Sequence, residues 1–148
     1  MDESPLLADL NPAQREAVAA TEGPVLVVDD SRGVRQVVGQ ALGLVGFDVD
    51  LAGSPTGALS ALAGQPFDAI VMDYVMPTMD GASLVHKVRG LGIVAPVVVM
   101  SGQATERDRA RAIASGADAY FDKNDVRRGA LATALRSLVA GKPAGGGR

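Results

Sequence analysis

The chain has 148 residues, a mass of 15.1 kDa and a formal net charge of −3, which suits one domain and gives no basic footprint for nucleic acid. Hydrophobic residues make up 47%, enough for a core; there is no cysteine for a disulfide or thiolate site, and no tryptophan for a base-stacking platform. Residues 1–24 hold five acids against one base, no apolar run approaches ~20 residues and no signal-peptide pattern opens the chain, so a cytoplasmic location without membrane insertion is expected.

Residues 1–24 read as an extra N-terminal helix. Asn11 is its N-cap, Pro12 stands at N1, Gln14 completes a capping box, and Gly23 and Pro24 stop it. Leu6, Leu7, Leu10, Ala13 and Ala17 could form an apolar stripe along this segment. Val25 to Val28 is short, apolar and β-branched, as a strand buried on both faces should be. Val34, Val37, Val38, Ala41, Leu42 and Val45 then recur with helical spacing, a buried face that ends near Gly46. Phe47, Val49 and Leu51 alternate with Asp48 and Asp50, the pattern of a half-exposed edge strand. Ser54 or Thr56 caps a short helix that ends at Gly64.

The unit then repeats. Ala69 to Met72 is a strand, followed by a loop with Pro77 and a helix carrying Leu84, Val85 and Val88. His86, the single histidine, falls on the polar side of that helix. Val97 to Met100 is the fourth strand, a more polar helix runs from Ala104 to Ser115, and Ala119 to Phe121 is the fifth strand. The last helix is expected to bury Leu131, Ala134, Leu135, Leu138 and Val139, and a Gly- and Pro-rich tail follows it. Strands alternating with helices predict an α/β fold: a doubly wound, five-stranded parallel sheet covered on both faces. The expected division is 1–24 as extension, 25–140 as the domain and 141–148 as tail.

In such a sheet, ligands bind beyond the carboxyl ends of the strands, at the point where strand order reverses. The first strand runs into Asp29 and Asp30, the third into Asp73, the fourth into Ser101 and the fifth into Asp122 and Lys123. With strand order 2-1-3-4-5, three carboxylates converge beside a hydroxyl and an ammonium. Carboxylates so close cannot all stay ionised without a cation, and hard oxygen ligands with room for water suit Mg²⁺. A divalent ion, a lysine and a hydroxyl around one carboxylate make a site for phosphoryl oxygens, with that carboxylate as nucleophile.

Val25 to Ser31, the stretch Asp-x-x-Met-Pro-x-Met-Asp-Gly from Asp73 to Gly81, Val99-Met100-Ser101 and Ala119 to Lys123 together resemble a response regulator receiver domain over residues 25–140. The resemblance implies a flavodoxin-like (βα)5 fold with the 2-1-3-4-5 order. It implies that Asp73 is the phosphoacceptor of a two-component system, taking its phosphoryl group from a histidine kinase or phosphotransfer protein. It further implies that Asp29, Asp30, Asp73 and the backbone carbonyl of Val75 hold Mg²⁺, with Asp30 a direct ligand and Asp29 a partly water-mediated one. Ser101 and Lys123 would bind the phosphoryl group, Ser101 and Tyr120 would switch, and Val75 and Gln103 would flank the path of hydrolytic water. Output would pass to a protein target through the fourth helix, fifth strand and fifth helix, and the chain would be a signalling phosphoacceptor and not an enzyme. One departure is that Asn124 stands after the lysine where the family usually has proline, which predicts a differently shaped turn.

Leu10 to Val28 also resembles the opening of superfamily 1 bacterial DNA helicases, where the residue matched by Gln14 reads adenine. That strand leads here into Asp29-Asp30-Ser31, and no Gly-x4-Gly-Lys-Ser/Thr occurs to cradle a triphosphate. The alternatives were therefore a helicase-derived nucleotide-binding fragment, a haloacid dehalogenase-like phosphohydrolase, which needs Asp-x-Asp where position 31 is Ser, and an FMN carrier, which needs a hydroxyl- and glycine-rich phosphate loop.

Overall fold

A computed structural model describes residues 23–103, 105–125 and 129–141. The expected N-terminal helix, its Gln14 and the 142–148 part of the tail lie outside the described residues. β1 (Gly23–Val28), β2 (Phe47–Ala52), β3 (Ala69–Asp73), β4 (Val97–Ser101) and β5 (Ala119–Asp122) form one parallel sheet in the order β2-β1-β3-β4-β5. The helices are α1 (Arg32–Leu44), α2 (Pro55–Gly64), α3 (Gly81–Gly90), α4 (Glu106–Ser115) and α5 (Leu131–Gly141). The predicted class and strand order hold. Gly23 and Pro24 are already the first residues of β1, paired in register with Phe47 and Asp48, so they belong to the sheet and do not merely end what precedes it.

The central strands β1, β3 and β4 are sealed because helices lie over both faces. Leu26, Val28, Ile70, Met72, Val97 and Val99 pack toward the α2–α4 side, and Val25, Val27, Val71, Val98 and Met100 toward α1 and α5. This two-sided burial is why the strands read as unbroken apolar runs. Pro55 at the first turn of α2 leaves Ser54 as its cap, with Oγ accepting from Gly57 N at 3.0 Å.

Two helical faces differ from their predicted ones. On α1 only Val38 and Leu42 are fully buried and Val34 is half-buried, whereas Val37, Ala41 and Val45 are exposed. The helix packs on the edge strand β2 and on β1, and Val37 and Ala41, on its other side, line an open groove beside Met100 and Lys123. On α5 Ala132 is buried with Leu131 and Leu135, while Ala134, Leu138 and Val139 are only partly covered. On β2 the alternation slips at its end, with Leu51 exposed and Ala52 buried. His86 is on the surface, as its face predicted.

At the amino end of the sheet, Arg89 of α3 closes two loops. Its Nε and Nη2 donate to Gly116 O, Nη1 to Ile93 O and Ala95 O, and Nη2 also to Asp118 Oδ2 at 2.9 Å. Asp118 Oδ2 also accepts from Val97 N, so one guanidinium fastens the entrances of both β4 and β5. On the opposite face, Arg136 of α5 donates to Val45 O at 2.6 Å and lies over the Phe47 ring, fixing α5 against the α1–β2 turn.

Candidate functional site

β1 and β3 are neighbours in space although β2 lies between them in sequence, so the reversal of strand order falls where both end. Asp29 continues the β1 ladder by donating its N–H to Ala52 O at 3.1 Å, and its side chain is wholly buried. Asp73 ends β3 and is 3% exposed; Asp30 stands at the exposed rim. Carboxylate oxygens of Asp29, Asp30 and Asp73 lie within 4.8 Å of one another. Lys123, just past β5, places Nζ 3.1 Å from Asp29 Oδ2 and 3.2 Å from Asp73 Oδ2. Four of the six residues read as reactive from the strand ends, Asp29, Asp30, Asp73 and Lys123, thus converge, with Ser101 buried at the end of the neighbouring strand β4.

Three carboxylates face one ammonium. Asp29 Oδ1 accepts from Ser31 N at 2.9 Å, and its buried Oδ2 has no hydrogen-bond partner among the described residues, the Lys123 ammonium standing 3.1 Å away as an ion pair. A buried carboxylate oxygen so placed, in an oxygen-only donor set with surplus negative charge, fits a hard divalent cation such as Mg²⁺. Burial first, and then the adjacent Asp29 charge, push the Asp73 carboxyl above its ordinary value, with Lys123 opposing them. Burial works against the Lys123 ammonium as well, yet the two carboxylates outweigh it and hold its pKa above the usual lysine value.

The loop after β3 is folded tightly back. Val75 N donates to Asp73 Oδ1 at 3.3 Å, which holds the residue expected to offer its carbonyl beside the cluster, and the Val75 side chain is exposed. Thr78 has a φ of 72°, and Met79 N donates to Pro77 O at 2.8 Å, a narrow turn that a β-branched residue adopts only under strain. Gly81 N donates to Tyr74 O, and a Cβ at Gly81 would lie 2.8 Å from Asp73 O, so only glycine allows α3 to start this close to the acceptor strand.

Ser101 Oγ accepts from Gln103 N at 3.1 Å, and the Gln103 side chain is exposed. Tyr120 is buried, its hydroxyl meets no hydrogen-bond geometry among the described residues, and its ring meets Tyr74 edge-on at 6.1 Å. Its aromatic ring is therefore already inside, and burial raises its pKa. Lys123 to Asp125 form a single 3-10 turn with Asn124 N bonded to Asp122 Oδ1, and no cis peptide occurs among the described residues.

Three participants escaped the reading of strand ends. Arg35 of α1 donates to the Asp29 backbone carbonyl at 2.7 Å. Asp80 caps α3 through Ser83 N and pairs with Arg111 of α4, which also donates to Tyr74 Oη at 3.0 Å. Although burial opposes it, the Ser83 amide and the Arg111 guanidinium hold Asp80 below the ordinary carboxylate value. Asp80 carried a signal in its motif; Arg35 and Arg111 carried none, since their roles depend on how helices pack.

A family model described as the response regulator receiver domain matches residues 25–136. The response regulator MprA of Mycobacterium tuberculosis is 34% identical over 119 residues, which cover 80% of this chain and 52% of that protein; its counterpart in Mycobacterium avium is 33% identical with the same coverage. The chain therefore spans about half the length of these relatives. Among solved structures, the Francisella response regulator 1452 receiver domain superposes with a TM-score of 0.74 at 28% identity, covering 80% of this chain and 98% of that one. The signal receiver domain of NarL from Mycobacterium tuberculosis gives 0.74 and 28%, with 82% and 98% coverage. The likeness of residues 10–28 to helicases gains no support, because the matched region begins at residue 25 and the shared strand feeds the acid pair.

Proposed function

Since this chain belongs to the response regulator receiver domain family, we propose that it accepts a phosphoryl group on Asp73 from the phosphohistidine of a partner histidine kinase or phosphotransfer protein. The observation that carries this reading is the convergence of Asp29, Asp30, Asp73 and Lys123 at the sheet's switch point. In the transfer, an Asp73 carboxylate oxygen forms the new bond to phosphorus, the phosphorus–nitrogen bond of the donor breaks, and its electron pair returns to the imidazole. Bound Mg²⁺ supplies charge neutralisation for the transferred group. Asp29, Asp30 and the Val75 carbonyl would hold it with Asp73. Lys123 compensates charge on the phosphoryl oxygens, and it is placed to do so before transfer, so little reorganisation is needed.

Signalling would follow from the Ser101 hydroxyl leaving the Gln103 amide for a phosphoryl oxygen. Tyr120, buried against Tyr74, would then fill the space that the Ser101 hydroxyl vacates. The output reaches a protein target through α4, β5 and α5, in a cytoplasmic setting. The direct test is intact-mass spectrometry after treatment with acetyl phosphate: one phosphoryl adduct with Mg²⁺ and none after chelation. An adduct of equal yield in chelator would refute the metal-assisted reading.

The metal ligands are separable. Asp29 gives Oδ1 to the Ser31 amide and shares Oδ2 with the Lys123 ammonium, which leaves it less free for the ion than Asp30 at the exposed rim. Asp30→Ala is therefore expected to weaken Mg²⁺ by about a hundredfold and Asp29→Ala by about tenfold, the span over which losing ligands and their supports acts. Amide shifts in a Mg²⁺ titration read both constants, and equal affinities would contradict the order.

The lifetime of the phosphoryl group is set by how well water is aimed at phosphorus. Val75 and Gln103 flank that approach, and the Val75 isopropyl group offers water no hydrogen bond. A lifetime of minutes or longer is expected, with Val75→Asn shortening it about tenfold, which is ~1.4 kcal/mol of barrier. Decay of the phosphorylated mass after donor removal, at fixed Mg²⁺, measures it; unchanged decay in Val75→Asn would remove Val75 from the role.

A further inference from the structure

Tyr74 directly follows Asp73, and its groups are held on every side. Its N–H donates to Met100 O and its carbonyl accepts from Gly81 N, both at 2.7 Å, so the backbone is fixed between β4 and the start of α3. The ring is buried and meets the buried Tyr120 ring edge-on, the planes 80° apart. At the tip of the ring, Arg111 Nη1 donates to the hydroxyl at 3.0 Å. The same nitrogen pairs with Asp80 Oδ2, while Asp80 Oδ1 caps α3 at Ser83 N. Arg109, two residues earlier on α4, donates to the Tyr120 carbonyl at 3.3 Å. The helix α4 therefore grips both members of the ring pair, Tyr74 at its hydroxyl and Tyr120 at its backbone.

We infer that Arg111 is a positioning residue for Tyr120: by holding the Tyr74 hydroxyl, it sets the wall against which the Tyr120 ring packs. The backbone bonds of Tyr74 fix where its side chain starts and leave its torsions free, since the ring turns about its own side-chain bonds. Edge-on contact between rings is a weak attraction that depends on geometry and does not by itself hold both partners. The stop must act at the far end of the ring, and among the described residues the hydrogen bond there comes from Arg111. Its anchor is independent of Tyr74, because Asp80 is fixed as the cap of α3. A movement of α4, or of the segment leaving Asp73, is thereby felt at Tyr120. The consequence for signalling rests on the proposed reading of Tyr120 as part of the switch; the packing itself does not.

Tyr74 and Tyr120 are the two tyrosines of the chain and there is no tryptophan, so tyrosine circular dichroism in the near ultraviolet reports this ring pair. The Arg111 side chain is 50% accessible, and its truncation should leave the fold intact. Arg111→Ala in the full chain is expected to lose about half or more of the tyrosine signal, with the far-ultraviolet helix signal unchanged. Arg107→Ala, which takes an arginine from an exposed position on the same helix, is expected to keep it. The Tyr120 amide resonance gives a second reading. Tyr74→Phe keeps the ring and removes the hydroxyl, so alone it should displace that resonance in the same direction as Arg111→Ala. In the Tyr74→Phe background, Arg111→Ala should then move it by less than about a third as much, because two changes to one contact do not add. An undiminished tyrosine signal in Arg111→Ala, an equal loss in Arg107→Ala, or equal displacements in both backgrounds would each overturn the role. Acetyl phosphate labelling of the same proteins, read by intact mass, decides the phosphoacceptor reading separately: an unlabelled wild type removes that reading and leaves the tyrosine results standing.

Discussion

Asp73→Asn is expected to abolish the phosphoryl adduct and, in the absence of metal, to raise thermal stability. The first effect follows from the loss of the nucleophilic oxygen: the amide keeps the shape of the carboxylate and cannot form an acyl phosphate. The second follows from burial. Desolvation and the Asp29 charge raise the Asp73 pKa in the folded protein above 3.8, so the folded state holds that proton more tightly than the unfolded chain. The resulting penalty starts as pH rises through the unfolded value and is complete above the folded one. Asparagine escapes it, while Lys123 retains Asp29 as its partner. The stability gain should therefore be present at neutral pH and vanish in acid, where wild-type Asp73 is protonated as well. Thermal melts of both proteins across pH in chelator, with intact mass after acetyl phosphate, test the pair of effects. Persistent labelling of the variant would reassign the acceptor, and a less stable variant at neutral pH would reverse the electrostatic account.

Arg89→Ala is expected to cost about 3 kcal/mol of folding free energy, a large share of the ~5–15 kcal/mol typical of a domain. The guanidinium satisfies the carbonyls of Gly116, Ile93 and Ala95 and one oxygen of Asp118, and truncation leaves these groups to compete for whatever water can reach them. The side chain is 23% accessible, which keeps the figure below that of a fully buried ion pair. Arg89→Lys should recover only part of the loss, because an ammonium cannot address both loops with a planar fork. Urea unfolding measures this as a lower midpoint at unchanged slope. Midpoints shifted by less than the equivalent of ~1 kcal/mol would show that the two loops hold their shape without the clamp.

The sheet and the acid cluster were legible for the same reason. A strand buried on both faces has no freedom to be polar, so Val25–Val28, Ala69–Met72 and Val97–Met100 are marked by composition alone, and whatever polar residue follows them is exposed to notice. Asp29, Asp73 and Ser101 stand at those breaks. What the pattern could not give was the far side of each helix. Val37 and Ala41 match Val38 and Leu42 in character, and only the way α1 packs on the sheet, leaving an open groove beside Met100 and Lys123, decides which pair is covered. Leu51 and Ala52 exchange their expected roles because β2 ends at an edge, where alternation is not enforced by a second layer. Arg35, Arg89 and Arg111 were illegible for another reason. Arg89 and Arg111 reach across tens of residues, and Arg35 back across six, to a backbone carbonyl, a tyrosine hydroxyl or a carboxylate, and arginine on a helix surface looks the same whether or not a partner waits for it.

The contact between Arg111 and Asp80 runs in two directions. Asp80 belongs to the loop that starts at Asp73, and Arg111 belongs to α4, whose outer face is exposed. If phosphorylation shifts that loop and thereby biases α4, linkage requires that anything gripping α4 bias the loop by the same free energy. On the proposed function, a downstream target would then also be an effector of its own signal: by favouring one arrangement of this guanidinium, it would change how readily the acyl phosphate forms and how long it persists. Affinity for the target and lifetime of the message become two measurements of one quantity.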